Sequence, residues 1–314
     1  MAGKVNATMQ SRSVLVFLDG VGLGEPDPAI NPIVAAQPAF LLELLGIDEL
    51  TARTAPSSTN AASLFGVDAT LGVPGLPQSG TGQYSLLTGD NGALQFGRHY
   101  GPYVPTALRE PLMRNSLLAR AIAAGHDVAF ANAYPEELIG TGERISIRGP
   151  LRAGPPLAAI GANVLRRRTR DLETGNALAS EITNEGWIER LGRTSLPHIS
   201  AADAGRNLAA IASKHELTFF AHYSTDAEGH LRDLHGGIRA MQRVDEFLRG
   251  FFETIEPDVT VLIASDHGNL EDIRVGHTLN PAMFIAAGPF HEQITANIRS
   301  LTDVAPSLLR IIDE

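Results

Sequence analysis

The chain is 314 residues long, carries a formal net charge of −10 and contains no cysteine. That composition excludes disulfides and thiolate metal ligands, and an acidic chain lacks the basic footprint that phosphate backbones reward, so nucleic acid is not an expected partner. An apolar content of 44% is ample for a buried core, and the length fits one large α/β domain or a core with a small insertion.

Two of the 25 basic residues, Lys4 and Lys214, are lysine and the rest are arginine, which leaves a lysine-dependent mechanism almost no candidates. The segment Met1–Arg12 is short and polar, and the apolar run Val14–Leu18 behind it is too short for a signal sequence or a membrane span. No other stretch approaches membrane length. A soluble, cytoplasmic protein without a membrane partner is expected, and its oligomeric state is not set by any motif.

In chain order, Val14–Leu18 reads as a strand buried on both faces, and it stops at Asp19-Gly20. Residues 33–46 have a helical pattern behind Asn31-Pro32. A Gly/Pro-rich loop runs from Gly72 to Gly82. Leu112–Ala124 reads as a helix capped by Gly125, followed by a buried strand over Asp127–Ala131. Residues 135–200 lack strand–helix alternation and read as an insertion over the sheet. Alternation resumes with a helix over Ala202–Lys214, a strand over Leu217–Ala221, a helix over Gly236–Phe252 and a strand over Val259–Ala264. Met283–Ala286 reads as a further strand and Leu301–Ile311 as a closing helix. This order predicts a mostly parallel sheet covered on both faces.

Polar residues follow the strands. Asp19 ends the first, Asp226 and His230 lie behind Leu217–Ala221, and Asp266-His267 end Val259–Ala264. Parallel strands gather their C-terminal ends along one edge, where open α/β folds keep their chemistry. The i, i+4 spacing of Asp226 and His230 puts both on one face of a helical turn. With His277 downstream, an oxygen- and imidazole-rich set without cysteine suits Mn²⁺ or Zn²⁺, with Mg²⁺ as a third option. Taken singly, each residue would be explained by a cap or an ion pair; as a group they point to metal. Ser79 and Thr81 sit in the glycine-flanked loop Gln78-Ser79-Gly80-Thr81-Gly82, where a hydroxyl can face a metal-bound phosphate. Arg166, Arg167, Arg168 and Arg170 form either a clamp for a phosphate or carboxylate or a solvated helix face. For His222 and Asn269, supporting or structural roles are expected rather than direct ligation.

These motifs carry a family resemblance. Leu18-Asp19-Gly20, Gly75-Leu76-Pro77-Gln78-Ser79-Gly80-Thr81-Gly82, Thr225-Asp226-x-x-Gly229-His230, Ser265-Asp266-His267-Gly268-Asn269 and His277-Thr278-x-Asn280-Pro281 stand in one order. The chain resembles, in that order, the cofactor-independent phosphoglycerate mutases, which with phosphopentomutases belong to the alkaline phosphatase superfamily. The resemblance implies a three-layer α/β/α core formed by residues 1–134 and 201–314, with 135–200 as a small inserted lid.

It also implies two divalent metal ions. One would be held by Asp19, Ser79, Asp266 and His267, the other by Asp226, His230 and His277. Ser79 would be the nucleophile, with Thr81 a lesser candidate. The mutases are much longer and have a large lid, and neither Lys4 nor Lys214 lies in a motif that would supply the lysine expected near a mutase centre. A phosphomonoesterase acting on a small phosphorylated substrate is the resulting expectation. A compact-lid phosphomutase and a non-catalytic metal-binding protein retaining the fold are the alternatives.

Overall fold

The computed structural model describes residues 11–140 and 145–314. The polar segment 1–10 with Lys4, and residues 141–144 of the expected insertion, lie outside the described residues. The strands are β1 (Arg12–Leu18), β2 (Ser57–Ser58), β3 (Ala62–Val67), β4 (Val128–Phe130), β5 (Leu217–His222), β6 (Val259–Ala264) and β7 (Ala282–Ala287). They form one seven-stranded sheet in the order β2-β3-β7-β6-β1-β5-β4.

The centre of the sheet is parallel: β1 pairs with β5 on one side and β6 on the other, and β4 pairs with β5. β1 therefore lies between the two strands whose ends carry the remaining acidic motifs. The arm β6-β7-β3-β2 is antiparallel. β7 runs antiparallel because no helix intervenes between Ala264 and Ala282 to carry the chain back across a face of the sheet.

β1 is buried on both faces, which is why its sequence is a continuous apolar run. Leu15 and Phe17 point into one apolar layer, and Val14, Val16 and Leu18 into the other. The first layer is covered by helices Ser79–Thr88, Leu117–Ala124, Gly154–Gly161 and Val304–Ile312, the second by Ala201–Ala212 and Leu234–Phe252. These are the three layers. No helix of the described residues is long and apolar enough to cross a membrane.

Four local readings change. The loop expected over Gly72–Gly82 stops at Gln78, where the helix Ser79–Thr88 begins. The helix expected over 33–46 is two, Pro32–Ala36 and Ala39–Leu45, because Gln37 turns left-handed at φ 47° and Pro38 cannot continue a helix. The helix expected over Leu112–Ala124 is likewise two, Thr106–Asn115 and Leu117–Ala124. Ser116 leaves helical geometry between them and caps the second by accepting from the Ala119 amide. β3 is a strand the pattern did not signal, since Ala-Ser-Leu-Phe-Gly-Val neither alternates nor forms a β-branched run.

Residues 135–200 contain short helices and no strand among the described residues. Leu151, Leu157, Ala158 and Leu165 join the first apolar layer, while Leu172, Ala177, Ala179, Trp187 and Leu196 pack with Ala133 in a small separate cluster. The Gly154 amide donates to Gln83 Oε1 at 2.9 Å, tying this stretch to the helix that begins at Ser79.

Candidate metal centre

Asp19 is placed by β1 and Asp266-His267 by β6, the adjacent parallel strand. The Gly20 amide donates to Asp266 Oδ1 at 3.3 Å and the Val21 amide to Ser265 Oγ at 2.8 Å, so the two strand ends are laced together. On the other flank, the Asp19 amide donates to the His222 carbonyl at 3.0 Å and Thr225 Oγ1 donates to the Asp19 carbonyl at 2.6 Å. Thr225 and Asp226 lie in the first turn of the helix Ser224–Leu231 that follows β5. Gly20 adopts φ +68°, and a Cβ there would stand 2.5 Å from Asp226 Oδ1, so only glycine lets that carboxylate approach.

Two clusters result. Asp19, Asp266 and His267 are all buried and offer ligand atoms within 4.8 Å of one another, and so do Asp226, His230 and His277. His267 Nε2 lies 3.5 Å from Asp19 Oδ1 and 3.6 Å from Asp266 Oδ2. In the second cluster, His230 Nε2 is 3.3 Å from Asp226 Oδ2, and His277 Nε2 is 3.7 Å from Asp226 Oδ1 and 3.2 Å from His230 Nε2. The rings of His267 and His277 stack with centroids 4.0 Å apart, which joins the clusters into one centre. Of the six residues, His230 is the one exposed to solvent.

Ser79 opens the helix Ser79–Thr88, and its Oγ stands 2.9 Å from His267 Nε2. No side chain caps the start of that helix; the Thr81 amide donates to the Tyr100 carbonyl at 3.0 Å, which leaves the Ser79 and Gly80 amides at the positive end to face an anion. The Thr81 hydroxyl turns the other way: it accepts from the Tyr100 amide at 3.1 Å and lies 3.3 Å from the Gln78 carbonyl. The structure therefore brings Ser79, and not the Thr81 hydroxyl, to the clusters.

The electrostatics fit a bound cation. Burial, then the charges of Asp266 and Asp226, push the Asp19 carboxyl well above its ordinary range, and burial likewise raises Asp266. Asp19 Oδ1 and Asp266 Oδ2 are buried with no hydrogen-bond partner among the described residues. Burial alone would raise Asp226 too, but the hydrogen bond with His230, the neighbouring His267 and the Asn269 amide bring it down to about 2. Burial and the neighbouring His267 push His277 down to about 4. His277 Nδ1 stands 2.7 Å from the Pro77 carbonyl, so that nitrogen carries the hydrogen and Nε2 keeps a lone pair facing Asp226. Unpartnered buried carboxylate oxygens beside imidazole lone pairs form a donor set that suits a divalent ion.

Other candidates lie at different distances from this centre. Asn269 Nδ2 donates to Asp226 Oδ1 at 2.7 Å, fixing that carboxylate from behind. His222 is buried under the sheet edge with Nδ1 2.7 Å from the Ser180 carbonyl. Arg166 Nε donates to its own Asn163 carbonyl at 2.7 Å, and Arg167 donates to the carbonyls of Asn176 and Phe130 at 2.7 and 2.9 Å. Arg168 precedes the short helix Thr169–Glu173, and Arg170 is exposed. A cavity of about 740 Å³ includes Tyr223 in its wall, and the arginines lining it are Arg148 and Arg193, with none of Arg166, Arg167, Arg168 or Arg170.

Glu271 is a residue that sequence reasoning missed. It is 1% exposed and accepts hydrogen bonds from the Gly22 and Asn269 amides at 3.0 and 2.8 Å, from Asn280 Nδ2 at 3.1 Å and from Thr278 Oγ1. One carboxyl thus pins the segment after Asp19, the segment after His267 and the segment after His277. Its position two residues beyond Asn269, just after the Asp-His-Gly-Asn motif, was the available signal.

Residues 193–313 match the family model described as the metalloenzyme superfamily. Among curated proteins, the chain is 30% identical over 124 residues to a 2,3-bisphosphoglycerate-independent phosphoglycerate mutase from Desulforudis audaxviator, covering 37% of this chain and 24% of that one. The protein of the same name from Cereibacter sphaeroides is 24% identical over 261 residues, covering 77% of this chain and 45% of its own. The matches span less than half the length of these relatives. In fold, the chain is similar to the alkaline phosphatase of the Antarctic bacterium TAB5, with a TM-score of 0.54 at 12% identity over 96% of this chain and 98% of that one.

Proposed function

We propose that this protein is a two-metal phosphoryl-transfer enzyme that hydrolyses a small phosphate ester through a phosphorylated Ser79. The observation that carries this reading is the meeting of Ser79 Oγ with His267 Nε2 at 2.9 Å, beside two buried carboxylates with unpartnered oxygens. Asp19, Asp266, His267 and Ser79 would hold one divalent ion, and Asp226, His230 and His277 the other. Mn²⁺ or Zn²⁺ suits this mixture of carboxylate and imidazole donors best. When bound, such ions neutralise phosphoryl charge and lower the pKa of a coordinated hydroxyl.

The chain's own groups do the rest. The open N-terminal end of the helix Ser79–Thr88 orients the phosphoryl oxygens, and Ser79 Oγ attacks phosphorus. The P–O bond to the alcohol breaks, and the alcohol leaves with the proton given up by Ser79. Water then attacks the phosphoserine, releasing inorganic phosphate and restoring the hydroxyl. Gln83, which donates to Asp19 Oδ2 at 3.1 Å and accepts from the Gly154 amide, couples the carboxylate to the stretch we assign as a compact lid, residues 135–200.

Phosphomutase chemistry is the second reading, favoured by the names of the curated relatives. Rapid quenching of the Mn²⁺-loaded protein with a phosphate monoester separates the readings. Label trapped on Ser79 and discharged as inorganic phosphate supports hydrolysis; label passed to a second hydroxyl of the substrate supports the mutase. No label on Ser79 under turnover overturns both.

A further inference from the structure

Resting on the reading of Ser79 as phosphoryl acceptor, we infer that the cavity beneath Trp187 receives the alcohol portion of the ester, and that this portion is an apolar, ring-sized group. The cavity, about 740 Å³, falls within the range of small-molecule sites of roughly 300–1,000 Å³. Ala133, Leu138, Pro150, Trp187 and Leu191 give it a wall made largely of carbon.

Its link to the metal centre is Tyr223. This residue follows β5 directly and precedes the turn that carries Asp226, and its ring meets the edge of Phe17 on the central strand at 6.3 Å. Tyr223 Oη is buried and has no hydrogen-bond partner among the described residues. Residues on either side of Tyr223 hold Asp19: the Asp19 amide donates to the His222 carbonyl at 3.0 Å and Thr225 Oγ1 donates to the Asp19 carbonyl at 2.6 Å, so Tyr223 stands beside the first cluster. The cavity that Tyr223 lines is thus the neighbour of a phosphoryl group held at Ser79 and Asp19.

The charged groups at the rim are engaged with one another. Arg193 pairs with Glu137 and, at 3.8 Å, with Glu136, and Arg148 donates to the Glu137 carbonyl at 2.8 Å. A glycerate or sugar would leave hydroxyls facing carbon, whereas a ring would cover it. Leu191 is 49% exposed at the rim, an apolar surface that a ring would also cover.

Trp187 is the sole tryptophan of the chain, so its fluorescence reports occupancy of this cavity independently of turnover. The test titrates the Mn²⁺-loaded full-length protein with phenylphosphonate and methylphosphonate, which are not hydrolysed. Phenylphosphonate should bind at least about tenfold more tightly, from ring burial, and should alone shift the Trp187 emission. Leu191→Glu, at a half-exposed position that folding tolerates, and Leu138→Glu should each reduce that preference to about threefold or less. Equal affinity for the two ligands, a preference unchanged in both variants, or no binding of either ligand overturns the inference. Ser79→Ala keeps the failures apart: a variant that still hydrolyses phenyl phosphate defeats the phosphoserine reading, while the phenyl preference in the binding assay judges the cavity alone.

Discussion

Ser79 Oγ and His267 Nε2 stand 2.9 Å apart although 188 residues separate them in the chain. Each is delivered by a different element, Ser79 by the first turn of a helix and His267 by the loop after β6. Replacing Ser79 with alanine removes the oxygen we propose as nucleophile but none of the Asp or His residues of the two clusters. Turnover of phosphate monoesters should fall by at least about 10³-fold, as for other removed nucleophiles. Bound metal, measured by elemental analysis, should remain near the wild-type content. Retained turnover would assign the nucleophile elsewhere.

The two clusters differ in exposure, since Asp19, Asp266 and His267 are buried while His230 is open to solvent. His230→Ala should therefore weaken one ion while leaving the other tightly held, taking the stoichiometry in a dialysed sample from two towards one. Full chelation should lower the thermal midpoint, because an ion at about 100 times its Kd stabilises the folded state by about 2.7 kcal/mol. An unchanged midpoint after chelation and re-addition of Mn²⁺ or Zn²⁺ would argue against a built metal site.

Glu271 accepts from two backbone amides, one hydroxyl and one side-chain amide. Glutamine at this position would turn an NH2 group toward at least one of those donors. Glu271→Gln should cost about 2–3 kcal/mol in urea denaturation, at the upper end for buried bonds to a charged group. It should also loosen metal at the His277 cluster, because Thr278 is one of its donors. A variant as stable as wild type would show that the three segments are held by other contacts.

His126 bridges Glu216 at 3.2 Å and Asp313 at 2.8 Å, joining the turn before β4 to the C-terminal end of the chain. Burial alone would lower its pKa, but the hydrogen bonds to Asp313 and Glu216 outweigh that and raise it. A raised folded value means the stabilisation is complete below the unfolded pKa of about 6.5 and is lost as pH rises through the folded value. His126→Gln should therefore destabilise the protein at pH 5.5, on the order of 1 kcal/mol, and have little effect at pH 9. Equal losses at both pH values would identify a packing role instead.

The sequence by itself determined the chemistry on offer. Asp19, Asp226 and Asp266-His267 each follow an apolar run, and a strand end with a carboxylate is legible locally because burial and exposure alternate along the chain in one dimension. Ser79 in its glycine-flanked loop pointed to a candidate nucleophile, and the absence of cysteine narrowed the metal, in the same way. Strand β3, the two split helices and the antiparallel placement of β7 were not legible. Each depends on a single residue's backbone geometry, as at Gln37 and Ser116, or on which neighbour a strand meets.

Only the tertiary structure decided how these groups combine. The order β6-β1-β5 puts three strand ends side by side, and hydrogen bonding between strands distant in sequence sets that order. It also turned the Thr81 hydroxyl away from the centre, gave Glu271 its four donors and used Arg167 to hold backbone carbonyls. The arginine-dense run looked like an anion clamp because charge is visible in sequence. What a guanidinium touches is settled by the fold around it, and the cavity beside Tyr223 is lined instead by Arg148 and Arg193.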